Sequence, residues 1–301
     1  MIDRIHYTSC PGCSAVNLRS VLEVKDFSVT GQLFSLLQCQ ECELRFTQDV
    51  PDASAIAPYY QFEQYISHTN TNKGLVNKLY QGVRKFTLRQ KRKLIEKTSG
   101  CNAGLLLDVG CGTGAFAASM QQAGWTVTAL EPDAGARKIA MEQFGVQAVD
   151  SAQLYQLPEA HYDVITLWHV LEHMHQLQQV IVQLRKLLKP SGQLIIAVPN
   201  YTSFDAVTFG EYWAAYDVPR HLYHFSPRSM RALLSAHQLV LTETFPMWFD
   251  SFYVSLLSTA YRSGRTDYAK AFLTGLASNL RALADTEKCS SIIYCCRQWP
   301  H

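Results

Sequence analysis

From Leu105 onward the chain alternates short apolar runs with segments whose apolar residues recur at helical spacing. Leu105–Asp108, Trp125–Leu130, Val146–Val149, Tyr162–Trp168 and Gln193–Val198 are short and rich in Leu, Val, Ile and Thr, the pattern of buried strands. Between them, Gly114–Gly124, Pro132–Phe144 and Leu177–Leu188 read as helices. Strand and helix in regular alternation predict an α/β domain on a parallel, doubly wound sheet, because each parallel crossover needs a helix to bring the chain back. Leu239–Phe245 and Ser290–Cys296 are the sixth and seventh strands, with a helical segment at 246–285 between them.

The first fifty residues follow another pattern. Val21–Val24 and Leu33–Leu37 are strand-like, and the knuckles Cys10-Pro-Gly-Cys13 and Cys39-Gln-Glu-Cys42 flank them with 25 residues between. Two C-x-x-C pairs at this spacing place Cys10, Cys13, Cys39 and Cys42 around one tetrahedral Zn²⁺, a zinc ribbon with a structural metal. The other five cysteines lack such pairing. Residues 1–50 hold four Lys or Arg against six Asp or Glu, a net charge of −2, which favours a structural or substrate-positioning ribbon over one that reads RNA. Ala53–Tyr65 reads as a connector. Residues 73–97 hold nine Lys or Arg and one acid, with Leu75, Leu79, Val83 and Phe86 at helical spacing, an amphipathic helix with a basic outer face. The expected organisation is therefore a ribbon at 1–50, a connector with the basic helix at 51–98, and an α/β domain at 99–301 with a substrate-covering insertion near 201–230.

Composition narrows the classes. A chain of 301 residues with 48% hydrophobic and 17% charged residues makes a packed core rather than a disordered chain, and a net charge of +2 weakens an electrostatic case for nucleic acid. The N-terminus has no apolar leader core, and Phe245–Tyr261 is too short and too polar to span a bilayer. Nine cysteines without a leader point to the reducing cytoplasm.

Chemistry concentrates at Asp108-Val-Gly110-Cys111-Gly112-Thr-Gly114, where an apolar strand ends in an acid and glycines occupy alternate positions before a helix. Such a turn brings backbone N–H groups close to a ligand. The G-x-G-x-G spacing differs from the dinucleotide G-x-G-x-x-G. Glu131, at the end of the next strand, is placed to accept hydrogen bonds from both ribose hydroxyls of a nucleoside. With its flanks this stretch resembles motif I of the class I S-adenosylmethionine-dependent methyltransferases. Tyr162-Asp-Val-Ile with His169-Val-Leu-Glu-His173 resembles the signature of the branch that includes ubiquinone-biosynthesis O-methyltransferases. The resemblance covers roughly residues 75–298. It implies a Rossmann-like seven-stranded sheet of order 3-2-1-4-5-7-6, S-adenosylmethionine as methyl donor and S-adenosylhomocysteine as product. It also implies cofactor contacts from Asp108, Gly110, Cys111, Gly112, Gly114, Glu131, Pro132, Ser151, Ala152, Trp168 and His169.

Two histidine clusters bear on the acceptor. His169, Glu172 and His173 form H-x-x-E-H, which also matches an inverted zinc-protease motif, but its place after the fourth strand of a methyltransferase pattern explains it otherwise. Glu172 and His173 read as packing residues, with a divalent ion near the acceptor as the alternative. The stretch Tyr212–Phe225 follows the fifth strand, where open α/β sheets place ligand loops, and is dense in aromatics, Asp217, Arg220, His221 and His224. The expected acceptor base is His221, then His169 or His224, with Arg220 as anchor for an anionic acceptor. The first functional reading is methyl transfer to oxygen of a small molecule of sugar, quinone or natural-product type. The second is an RNA methyltransferase using the ribbon and basic helix, although Pro199-Asn200-Tyr201 lacks an Asn/Asp-Pro-Pro-Tyr base-binding motif. The third is a non-catalytic cofactor-binding scaffold. The oligomeric state is open.

Overall fold

The structure, a computed structural model, describes residues 4–60 and 75–299, and the side chains of the first long helix from residue 82 onward. The described residues fall into two compact units, one within Met1–Phe62, His169–Val180 and Ala197–Tyr294, the other within Glu63–Trp168, Ile181–Ile196 and Cys295–His301.

In the first unit β1 (Arg4–Ile5), β2 (Leu18–Lys25), β3 (Leu33–Cys39), β4 (Arg45–Thr47) and β5 (Val50–Pro51) form the N-terminal module. β2 and β3 pair antiparallel with Leu18 opposite Cys39, and β3 pairs with β4 with Leu37 opposite Phe46. Phe34 and Leu36 of β3 are buried while Leu33, Ser35 and Leu37 between them are not, as alternation predicts, and Cys39 is buried at the strand's end.

In the second unit the parallel strands are β6 (Leu105–Val109), β7 (Thr126–Leu130), β8 (Ala148–Val149) and β9 (Tyr162–Trp168). With β10 (Leu188–Pro199), β11 (Tyr223–His224), β12 (Leu239–Pro246) and β13 (Ser291–Gln298) the chain has its full set of described strands. The large sheet runs β12-β13-β10-β9-β6-β7-β8, which is the order 3-2-1-4-5-7-6 expected for the class I fold. β6, β9 and the part of β10 from Gly192 onward are almost continuously buried, since a parallel sheet is covered on both faces. β10 starts at Leu188 and runs through Lys189-Pro-Ser-Gly192, which the pattern reads as a turn. Gly192 allows this, because a Cβ there would lie 2.9 Å from the Tyr162 carbonyl oxygen.

The helices are α1 (Leu75–Ser99), α2 (Ala115–Gln122), α3 (Ala134–Phe144), α4 (Leu177–Leu187), α5 (Phe204–Phe209), α6 (Pro227–Ala236), α7 (Asp250–Ser263) and α8 (Tyr268–Ala284). Asp133 caps α3 through the Ala136 N–H, and Ser226 caps α6 in a capping box with Pro227 in its first turn. Part of the connector (61–65), the start of the basic segment (73–74) and the side chains of Leu75 and Leu79 lie outside the described residues. Within α1, Ile95 is fully buried while Phe86 is half exposed. Among the described residues no helix is long and apolar enough to cross a membrane.

β11 belongs with the N-terminal strands: Tyr223 lies opposite Phe46 and His224 opposite Arg45. The sheet β11-β4-β3-β2 thus joins residues about 180 positions apart, and Val24, Phe34 and Leu36 share a core with Tyr201, Phe209, Trp213 and Tyr216.

Candidate functional site

The first cluster of functional residues lies in the second unit, at the carboxyl ends of β6, β7 and β9. Thr166 Oγ1 donates to Asp108 Oδ1 at 2.8 Å, while Asp108 Oδ2 is buried without a hydrogen-bond partner. Burial pushes the Asp108 carboxyl up to about 7, against the opposing pull of Thr166 and Lys91. The Gly110 and Cys111 N–H groups both donate to Leu130 O at 2.8 Å, which folds the turn onto β7. Gly112 has φ 55° and nothing within 4 Å of where a Cβ would stand, so the turn presents open backbone there. Gly114, the N-cap of α2 at φ 81°, leaves no room: a Cβ would meet that of Ala140 at 2.9 Å.

Glu131 is buried at the end of β7 and closes the turn. Its Oε2 accepts from Gly112 N–H at 2.8 Å and its Oε1 from Asp133 N–H at 3.0 Å. Trp168 lies with Phe116 against one edge and Lys91 Nζ 4.1 Å over its ring, and its Nε1 is buried without a partner. Pro132 and Ala152 are exposed and Ser151 half-buried, and Asp150 caps the turn through the Ala152 N–H. Arg137 was not expected from the sequence. It donates to Glu131 O, Pro132 O and Asp150 Oδ2 at 2.6, 2.7 and 3.2 Å and so holds both loops. Lys91, read as part of a basic outer face, instead covers Trp168. The cluster offers a clamped carboxylate at a glycine turn and two buried polar atoms, Asp108 Oδ2 and Trp168 Nε1, still lacking partners. These fit a nucleoside with vicinal hydroxyls and a cationic amino acid, which is the chemistry of S-adenosylmethionine.

Asp108 gives a pH prediction for the cofactor-free chain. Its folded pKa exceeds its unfolded one, so between about pH 4 and 7 the folded state holds the extra proton and stability falls as pH rises; above that window the effect is complete. A rise from 3.8 to about 7 corresponds to roughly 4 kcal/mol. Urea unfolding of wild type and Asp108→Asn at pH 5 and pH 8 should show the substitution stabilising at the higher pH relative to the lower. A difference that does not change with pH would refute this.

The second cluster lies in the first unit. His169, in the left-handed region at φ 57°, places Nε2 2.9 Å from Asp250 Oδ2 and Nδ1 3.4 Å from Glu172 Oε1. Burial would lower its pKa, but Asp250 and Glu172 outweigh it and hold it up at about 10, so the ring is charged at neutral pH. His173 is pushed down to about 4 by burial beside His221, and burial holds His224 well below the ordinary histidine value, so both are neutral. His173 Nδ1 donates to Arg220 O at 3.0 Å, and His221 Nδ1 to Ala215 O at 2.8 Å. His224 Nε2 lies 3.1 Å from Thr47 Oγ1, which itself donates to His221 O at 2.8 Å.

Arg220 is 5% exposed, and its guanidinium is spent on protein: both Asp217 oxygens at 3.0 and 2.6 Å, Asp26 Oδ1 at 3.3 Å and Tyr59 O at 3.0 Å. Trp213, Tyr216, Tyr223 and Phe225 are all buried, so this stretch is largely core. Asp26, Thr47 and Asp250 were not singled out from the sequence. Asp26 and Thr47 meet their partners over more than 170 positions, and no local pattern marks them.

The four N-terminal cysteines converge as their spacing predicts. Cys10 and Cys42 Sγ are 3.6 Å apart, Cys13 and Cys39 Sγ 3.5 Å, and one ligand atom of each of the four lies within 4.8 Å of the others. These separations exceed a disulfide bond and suit thiolates around a tetrahedral ion with bonds of about 2.3 Å.

Comparison with known proteins agrees with the fold. Residues 83–244, more than half of the chain, match the family profile described as "Methyltransferase domain". Among curated relatives, the ubiquinone biosynthesis O-methyltransferase of Vibrio atlanticus is 38% identical over 115 residues, covering 36% of this chain and 48% of that protein. That of Klebsiella pneumoniae subsp. pneumoniae is 38% identical over 118 residues, covering 36% and 47%. The chain thus spans about half the length of the curated relatives it matches. Among solved structures, a putative sarcosine dimethylglycine methyltransferase from Galdieria sulphuraria superposes with a TM-score of 0.52 at 18% identity, over 72% of this chain and 88% of that one. The profile match and the sheet order together establish that the chain belongs to the methyltransferase domain family, with the class I fold of S-adenosylmethionine-dependent enzymes.

Proposed function

We propose that this chain transfers a methyl group from S-adenosylmethionine to a hydroxyl oxygen of a small molecule. The observation that carries the reading is Glu131, a buried carboxylate clamped by the Gly112 and Asp133 N–H groups beside a glycine turn, with Asp108 Oδ2 unpartnered nearby in the chain. The relatives' names support oxygen as acceptor atom and a small molecule of quinone type.

The cofactor supplies a methyl group on a sulfonium, and the chain must hold it, exclude water and activate the acceptor. Glu131 takes the ribose hydroxyls, Asp108 the amino cation, the open backbone at Gly110–Gly112 the amino-acid part, and Trp168 packs against the donor. Pro132, Ser151 and Ala152 line the nucleoside. We assign activation of the acceptor hydroxyl to His221, whose Nδ1–H is committed to Ala215 O and whose Nε2 therefore carries the lone pair. His169 is already protonated at neutral pH and serves as a charged strut between Asp250 and Glu172 rather than as base. Arg220 and His224 act as positioning residues, because Arg220 is saturated by Asp217, Asp26 and Tyr59 and His224 is held at Thr47. Cys10, Cys13, Cys39 and Cys42 hold one structural Zn²⁺, and nine free cysteines fit the reducing cytoplasm.

Titration calorimetry with S-adenosylhomocysteine tests the donor half of this reading and should show one site per chain; no heat of binding would overturn it. With an acceptor in hand, His221→Ala should lower turnover by about 10²-fold or more at unchanged S-adenosylhomocysteine affinity. Unimpaired turnover would remove His221 from the mechanism. Label appearing in RNA instead of small molecules would replace the acceptor class.

A further inference from the structure

Helix α8 carries its small side chains inside and its bulky apolar ones outside. Ala271, Thr274, Gly275, Ser278 and Ala282 are buried. Their size lets α8 settle closely on its neighbours: a Cβ at Gly275 would lie 3.1 Å from Phe252 Cα of α7, and Ser278 Oγ donates to Asp205 Oδ1 at 2.7 Å. The large residues face away from this contact. Leu273, Leu276, Leu280 and Leu283 are 63%, 38%, 57% and 71% exposed, and Phe272 and Tyr268 beside them 57% and 74%. At about 100° per residue these six share one stripe of the helix. With roughly 200 Å² for each such side chain, the exposed fractions amount to about 700 Å². That exceeds the ~300–600 Å² of the largest apolar patch on an ordinary monomer and approaches the ~800 Å² each partner gives a standard interface.

We propose that α8 pairs antiparallel with α8 of a second copy of this chain, forming a twofold-symmetric dimer. The spacing of the four leucines carries the choice of partner. They follow one another by three, four and three positions, the a and d sites of a coiled-coil seam, which is the surface that packs on another helix. The same spacing reads identically in both directions. An antiparallel copy therefore sets Leu276 opposite Leu280 of the partner subunit and Leu273 opposite Leu283 of the partner subunit, which is the self-complementarity a twofold interface requires. A bilayer fits less well. A helix that lies on lipid shows a polar face rich in Lys and Arg, whereas Lys270 and Arg281 are the only charges of α8. The Arg281 guanidinium is already seated 3.5 Å over the Phe204 ring, and buried Thr274 and Ser278 take up much of the face opposite the leucines. α7 opens on Asp250, the partner of His169, so the hairpin that pairs also carries a residue of the histidine cluster.

The test is sedimentation velocity on the purified full chain over a concentration series in the micromolar range. The expected result is a species of twice the 34.0 kDa chain mass. Leu273→Glu and Leu283→Lys should each raise the dimer dissociation constant by more than about tenfold, since each sets a charge against a leucine at the seam. The double variant places opposite charges across both symmetric pairs and should associate more tightly than either single variant. The substituted leucines are exposed in the single chain, so the variants should keep the wild-type circular dichroism spectrum. The proposal is overturned if wild type sediments as a monomer, if the single variants dissociate no more readily, or if the double variant regains nothing. A wild-type monomer that co-sediments with vesicles of phosphatidylethanolamine and phosphatidylglycerol would assign the face to lipid and equally overturn it. The wild-type measurement decides even where a variant misfolds. The readout is mass, so the outcome is independent of whether the methyl-transfer reading holds.

Discussion

Glu131→Ala should lower affinity for S-adenosylmethionine and S-adenosylhomocysteine by about 10²- to 10⁴-fold. The range follows from the bonds lost. A carboxylate that accepts two ribose hydroxyls makes two charge-assisted hydrogen bonds, each worth about 1.5–3 kcal/mol, and about 1.4 kcal/mol is a factor of ten. The same substitution strips the acceptor from the Gly112 and Asp133 N–H groups and loosens the turn that presents open backbone to the ligand. The fold should survive, because burial already holds the Glu131 carboxyl above its ordinary range, so the native state gains little from its charge. Glu131→Gln keeps the shape and one acceptor oxygen, and should fall between wild type and alanine. Calorimetry with S-adenosylhomocysteine reads the effect directly. An unchanged Kd for the alanine variant would take the ribose role away from Glu131.

Cys42→Ser, which removes one ligand of the proposed four-cysteine metal site, should lower turnover by about 10²-fold or more while cofactor binding persists. Structural zinc in small modules contributes about 10–16 kcal/mol of apparent folding free energy at neutral pH, far more than the single hydrogen bonds of the ribbon. Cys42 and Cys39 flank the turn into β4, and β4 carries Thr47, whose N–H and hydroxyl reach Leu222 O and His221 O. Releasing the metal therefore frees the strand that holds His221 and His224. A displacement of about 1 Å at such a group can cost about 10²-fold in rate. Asp108, Gly112 and Glu131 belong to the other compact unit. Metal analysis of Cys42→Ser should show one zinc fewer per chain, with a lowered Tm. Turnover should drop by about 10²-fold or more, with S-adenosylhomocysteine affinity within the range of wild type. Equal turnover after metal loss would make the ribbon an appendage.

The parts legible in the amino-acid order are those whose physics is local. Alternating apolar runs and helical spacing marked the seven strands of the sheet, because a strand covered on both faces must be apolar whatever its neighbours are. The glycine turn was legible because left-handed backbone at Gly110, Gly112 and Gly114 excludes most other residues. Cysteine spacing was legible because a metal ties short loops to fixed separations. Arg137 lay within reach of such reasoning, one turn inside the helix after Glu131, but nothing local told it from other surface arginines.

The acceptor cluster was legible only as a list of expensive residues. Which of them is charged, neutral or saturated depends largely on partners distant in the chain: Asp250 keeps His169 protonated, Asp26 joins the neighbouring Asp217 in consuming Arg220, and Thr47 holds His224. The pairing of β11 with β4 and the burial of Glu172 beside two imidazoles likewise have no local signature. By itself the sequence determined the class I sheet, the methyl-donor turn and the cysteine knuckles, since each rests on backbone geometry or spacing within a few residues. Only the tertiary structure decided the protonation and pairing of the histidines, the role left to Arg220 and the attachment of the ribbon to residues 221–224, because burial and long-range charge set those.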